Sequence, residues 1–86
     1  MKKIFDALQN IKRQIETHVK GTVTVEFKND VIYATVSNSY LMDDIVISCQ
    51  CPFEHLTLEI GQSSAADLLY HSYKYKVEKL LFTWYD

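Results

Sequence analysis

The sequence predicts an α+β domain in the order α-β-β-β-β-α, a four-stranded antiparallel meander with both helices packed on one face. Three observations lead there. Apolar residues recur at spacings of three and four near both ends of the chain, they alternate with period two through its middle, and turn-forming residues fall between the alternating runs. A length of 86 residues gives room for one compact domain, residues 1–86. Glycine and proline together number only three, so the connections are expected to be short.

The first element rests on Ile4, Leu8, Ile11, Ile15 and Val19, which form one stripe with Phe5 and Ala7 at its flanks and Lys, Arg, Gln and Asn opposite. That pattern is an amphipathic helix. It is expected to stop near Gly21, a residue free to adopt the left-handed conformation that ends many helices, with Lys20 complementing the negative end of the dipole.

The next stretch, TVTVEFKNDVIYATVS, alternates on both sides of Asn29-Asp30. A two-residue turn there pairs Lys28 with Val31, Phe27 with Ile32, Val25 with Ala34 and Val23 with Val36, which puts Val23, Val25, Phe27, Ile32, Ala34 and Val36 on one face. Two further alternating runs, DIVISCQC and EHLTLEIG, follow the connection NSYLMDD. With Pro52 to His55 as a turn, Cys51 would meet Leu56, Cys49 would meet Leu58, and Ile47 would meet Ile60. The final helix is expected after Gly61-Gln62, capped by Ser63 or Ser64. It would bury Ala66, Leu69, Tyr73, Val77, Leu80 and Trp84 and run to the end of the chain.

The segment SCQCPFEH raises the question of metal or thiol chemistry. Strand parity directs Cys49 and Cys51 to the core side and His55 to the other, and three ligands would still leave a tetrahedral ion one short. Redox dithiols place Cys-x-x-Cys at a helix start, where the dipole lowers a thiol pKa. Cys-x-Cys within a strand has neither feature, so packing is the expected role of both thiols. His18, near the apolar edge of the first helix, is expected to be structural or partly exposed, and Asp43-Asp44 to be a solvated turn. No phosphate loop, nucleophile elbow, zinc-protease motif or carboxylate pair is present. Neither an enzyme nor a cofactor is expected.

Net charge is −2, with the first 20 residues at +3 and residues 21–67 at −6. The opening MKKIFDALQNIKRQ is interrupted by charge too often for a signal peptide, no stretch reads as a membrane span, and two cysteines are too few for a secreted disulfide scaffold. The expected setting is a reducing cytoplasm.

The feature that points to function lies on the last helix. Leu68, Tyr75 and Phe82 repeat every seven residues on the side away from the buried stripe, with His71 and Tyr85 near them. Such a stripe suits an interface with another protein or with a second copy of the chain. Tyr40, Leu41 and Met42 in the connecting segment are a further contact candidate.

Two other readings compete. The order of elements is similar to that of double-stranded-RNA-binding domains, apart from one extra strand. Those domains imply lysines at the start of the last helix, where this chain has SSAADLLYHS. Lys2, Lys3, Lys12, Arg13 and Lys20 on the first helix offer a second route to nucleic acid, without interleaved aromatics. A small-molecule or enzymatic site could use Tyr33, Glu26, His55 and Glu59 on the open sheet face. The preferred expectation is a protein-interaction module that docks without catalysis: an inhibitor, adaptor or small subunit of a kind also encoded by phages and mobile elements.

Overall fold

The computed structural model describes the backbone of residues 2–37 and 44–85 and the side chains of residues 3–37 and 44–80. Its elements are α1 (Lys2–Glu16), β1 (Thr22–Lys28), β2 (Val31–Ser37), β3 (Ile45–Gln50), α2 (Phe53–Leu56) and α3 (Glu59–Tyr85). The three strands form one antiparallel sheet in the order β1-β2-β3. The fold is therefore α+β, but among the described residues it has three strands where four were expected.

The hairpin forms in the expected register, with Val23 opposite Val36, Val25 opposite Ala34 and Phe27 opposite Ile32. Asn29 and Asp30 both take positive φ, 51° and 61°, which is the pairing of a type I′ turn and matches the twist of the flanking strands. Strand β3 continues the same face, since Cys49 lies opposite Ile32, Ile47 opposite Ala34 and Ile45 opposite Val36. The helices cover that face, α1 over β1 and α3 over β3, and pack against each other. Among the described residues, Ile11, Ile15, Ile32, Leu56, Leu69, Val23 and Val36 are the largest side chains removed from solvent.

The main departure lies between residues 52 and 62. Residues 56–60 do not form a fourth strand; α2 and the start of α3 occupy that stretch. Pro52, with φ −55° and ψ 149°, opens the turn, and its carbonyl accepts hydrogen bonds from the amides of His55 and Leu56. The proline that reads as a strand breaker serves equally well as a helix starter, because it has no amide to leave unpaired. Glu54 in the first turn suits the positive end of the dipole. The pairings of Cys51 with Leu56, Cys49 with Leu58 and Ile47 with Ile60 accordingly do not occur. Strand β3 is left as a sheet edge, where Lys76 Nζ donates to the exposed carbonyl of Val46 at 2.5 Å.

The last helix begins at Glu59, earlier than expected, so Gly61, Gln62, Ser63 and Ser64 lie inside it. The Gln62 amide donates to the Leu58 carbonyl at 2.9 Å. Its buried side chain joins three elements: Nε2 donates to the Leu56 carbonyl at 3.0 Å, and Oε1 accepts from Asn10 Nδ2 at 2.6 Å. Both ends of that amide are satisfied, as burial demands. Helix α1 ends at Glu16, short of Lys20 and Gly21, and a turn closed by His18 N to Ile15 O carries the chain into β1. Val19 in that turn stays buried.

Helix α3 has 27 residues, about 40 Å at 1.5 Å per residue, whereas a seven-residue strand spans about 23 Å. It outruns the sheet. Burial along its inner stripe fades accordingly from Leu69, wholly buried, through half-buried Tyr73 and Val77 to exposed Leu80. The expected burial of Leu80 is thus corrected, and the Trp84 side chain lies outside the described residues.

Candidate functional site

The sequence-predicted contact residues divide three ways. Leu68 and Tyr75 lie on α3 with 55 % and 60 % of their surfaces exposed, and His71 is exposed between them. Phe82 and Tyr85 belong to α3 by backbone, but their side chains fall outside the described residues, as do Tyr40, Leu41 and Met42 entirely. Seven residues advance an α-helix by nearly two turns, so Leu68 and Tyr75 share a face, away from Ala66, Leu69 and Tyr73. Lys79 lies one turn further, its Nζ 5.1 Å from the centre of the Tyr75 ring, a cation–π contact.

Sequence reasoning missed the N-terminal end of this face. Leu58 is 52 % exposed and Ile60 76 % exposed, because a helix turn, unlike a strand, aims them away from the core that holds Leu56. Together with Leu68 they line a cleft of about 370 Å³ whose floor includes Cys51, Ser64 and Ala65. Exposed Phe53 sits on α2 at the same corner of the fold. The signal was in the sequence: Ala65, Ala66 and Leu69 continue a helical spacing that begins at Gln62.

The cleft brings His55 to the same hollow as Cys51, against the expectation that parity would separate them. Its chemistry is nevertheless poor for a nucleophile. Burial, followed by the neighbouring charge of Asp30, pushes the Cys51 thiol above its ordinary range. Burial, followed by Cys51, pushes the Cys49 thiol up to about 11. A raised pKa leaves little thiolate at neutral pH. Each thiol approaches a carbonyl, Ala65 O for Cys49 and Pro52 O for Cys51, at 3.9 Å. Among the described residues no three His, Cys, Asp or Glu side chains converge closely enough to hold a metal ion.

This yields a direct test. Alkylation of Cys49 by iodoacetamide at pH 8 is expected to be about 100-fold slower in the native protein than in urea, from the loss of thiolate alone. The linkage has a definite sign. A thiol whose pKa rises on folding, from 9.0 to about 11 for Cys49, contributes its stability below pH 9 and loses it between pH 9 and 11. Urea midpoints should fall across that window, and fall less in Cys49→Ala.

The competing sites fare differently. On the open sheet face Glu26 does lie opposite Tyr33, but His55 and Glu59 belong to α2 and α3, so the four residues do not form one site. The strand that set the order of elements apart from double-stranded-RNA-binding domains does not form, but α2 stands between β3 and α3. The electrostatic objection stays, because α3 begins with Glu59 and carries Asp67 before its first lysine, Lys74. On α1, Lys3 and Lys12 are nine residues apart, half a turn around the helix, and Arg13 shares its outer face with Asp6 and Glu16. Lys20 lies beyond the helix, and the Lys2 side chain is outside the described residues. The basic residues of α1 are dispersed among acids. His18 is exposed beyond the end of α1, with its ring 5.2 Å from that of Tyr70.

No protein-family model, curated protein or solved structure matches this chain. Among the described residues, no helix is long and apolar enough to cross a membrane.

Proposed function

We propose that this protein is a small interaction module that docks another protein chain on the outer face of α3 and the cleft at its N-terminal end, without catalysis. The observation that carries this reading is the grouping of Leu58, Ile60 and Leu68, each more than half exposed, around one apolar-walled cleft. Single exposed apolar residues are ordinary; several around one hollow are the usual mark of a contact surface. Tyr75 extends the strip toward the C-terminal half of α3 and supplies the amphipathic aromatic that interface centres favour. The raised thiol pKa values and dispersed charges also favour docking over chemistry. An inhibitor, an adaptor and a small subunit all use such a surface.

Site-specific photocrosslinking tests it. A photoreactive phenylalanine analogue at position 68 or 58, expressed in the native cell, should give one dominant protein adduct, and the same probe at Glu26 on the open sheet face should give none. Leu68→Asp should abolish an adduct formed from position 75. Equal labelling from all positions, or none from α3, would count against docking on this face.

A further inference from the structure

The backbone of the sheet edge beneath α3 specifies the kind of chain this face fits. The Cys51 amide donates to the Asp30 carbonyl at 2.8 Å, continuing the paired positions of Cys49 with Ile32 and Ile47 with Ala34. Amides and carbonyls alternate in direction along a strand, so those of Val46, Ser48 and Gln50 turn away from β2 to the open edge of β3. The bond from Lys76 to the Val46 carbonyl agrees with that alternation. A side chain there covers one edge acceptor to which a neighbouring strand would otherwise donate.

The width of the two layers leaves room for such a strand. Three strands about 4.8 Å apart make a sheet about 14 Å wide, whereas two helices side by side need about 20 Å. With α1 over β1 and α3 over β3, each helix overhangs its edge. Gln62 and Tyr70 mark the flank of α3 that meets α1, through Asn10 and His18. Leu68 and Tyr75, two and five residues from Tyr70, lie nearly half a turn around the helix, on the flank that overhangs β3. The cleft falls between these two elements, walled by Gln50 and Cys51 at the end of β3 and by Ala65 and Leu68 of α3.

Resting on the docking reading above, we infer that this face receives an extended segment of another protein, which adds to β3 as a fourth strand beneath the overhang of α3. About five residues span the edge from Val46 to Gln50. Every second residue of the segment turns its amide and carbonyl to that edge, and alternate side chains turn inward beneath Leu68 and Tyr75. The inward side chains are apolar, and one large one fills the cleft of about 370 Å³. A second copy of the chain does not fit this role. Antiparallel pairing of two β3 strands would set the two α3 axes about 5 Å apart, whereas packed helices need about 8–10 Å.

Selection from a phage-displayed library of random peptides against the full chain supplies a probe, and fluorescence polarisation of the synthetic peptide measures its binding. The selected peptides are expected to carry apolar residues at every second position and to lose binding to Leu68→Asp. Methylating the peptide's backbone nitrogens one at a time should weaken binding about tenfold at alternate residues and less than about threefold between them, because only every second amide reaches β3. Ser48→Pro removes an amide that the ladder with β2 does not use, and should weaken the peptide about tenfold while the circular dichroism stays that of the parent. Lys76→Met should tighten binding by about threefold, since it frees the Val46 carbonyl. Should Ser48→Pro fail to fold, the methylation series on the parent protein decides. No selected peptide, apolar residues at helical spacings of three and four, or binding indifferent to backbone methylation would each overturn strand addition. The two readings separate cleanly: a peptide of helical spacing that Leu68→Asp still abolishes removes the strand and leaves the docking surface, whereas peptides indifferent to Leu68→Asp, together with no α3 adduct in the cell, remove both.

Discussion

Gly61→Ala is expected to destabilise the protein by about 3 kcal/mol or more, a large share of the roughly 4–13 kcal/mol available to a chain of this length. Gly61 lies in the first turn of α3, where helix propensity alone predicts the opposite sign, a gain of up to about 1 kcal/mol. The geometry decides between them. A Cβ built on Gly61 would stand 1.9 Å from the carbonyl oxygen of His55 and 2.7 Å from its carbonyl carbon. Both are backbone atoms, so no side chain can swing aside, and relief requires α3 to back away from α2.

That movement would not stay local. Gln62, the next residue, holds the Leu56 carbonyl with one end of its side chain and Asn10 of α1 with the other, so displacing the first turn of α3 strains the junction of three elements. Thermal unfolding followed by circular dichroism should show a loss of about 12–24 °C for Gly61→Ala. Ser64→Ala, on the exposed side of the same helix, should stay within about 0.5 kcal/mol of the parent. Equal stability of Gly61→Ala and the parent would mean that the α2–α3 corner is not as close as described.

The same corner marks where the sequence was legible and where it was not. The hairpin could be read because two independent signals agree there: Asn29-Asp30 tolerates positive φ, and one register alone collects Val23, Val25, Phe27, Ile32, Ala34 and Val36 on one side. Strand β3 was readable from Ile45, Ile47 and Cys49, and α1 from its four-turn stripe. Between Pro52 and Gln62 every local signal has two meanings. Leu56, Leu58 and Ile60 alternate, but three apolar residues in five positions also fit one helix turn followed by the outward start of another. Gly61 reads as a breaker, whereas its place in the fold is set by contact with a backbone 6 residues earlier, which no local propensity reports. The candidate site divides in the same way. Leu68 and Tyr75 were visible as a seven-residue repeat, and Leu58 and Ile60 were hidden by assignment to the inner face of a strand that does not form.

Leucine truncations at this corner give the second large effect and discriminate between the two readings of the segment. In a fourth strand Leu56, Leu58 and Ile60 would share one buried face, and changing any of them to alanine would cost a similar 2–4 kcal/mol. In the observed fold Leu56 has no exposed surface and packs in the core with Ala65 and Leu69, whereas Leu58 and Ile60 point outward beside the cleft. Leu56→Ala is therefore expected to lose about 3 kcal/mol, from the transfer energy of the removed atoms and the cavity they leave. Leu58→Ala and Ile60→Ala should each lose less than about 1 kcal/mol. Urea denaturation with an unchanged slope would register these as shifts in midpoint alone. The mutations also separate stability from function, because Leu58→Ala should weaken whatever occupies the cleft while leaving the fold intact. Three equal losses would restore the strand and close the cleft. One large and two small losses would leave Leu58 and Ile60 as apolar surface that the fold itself does not use, the condition on which docking at α3 depends.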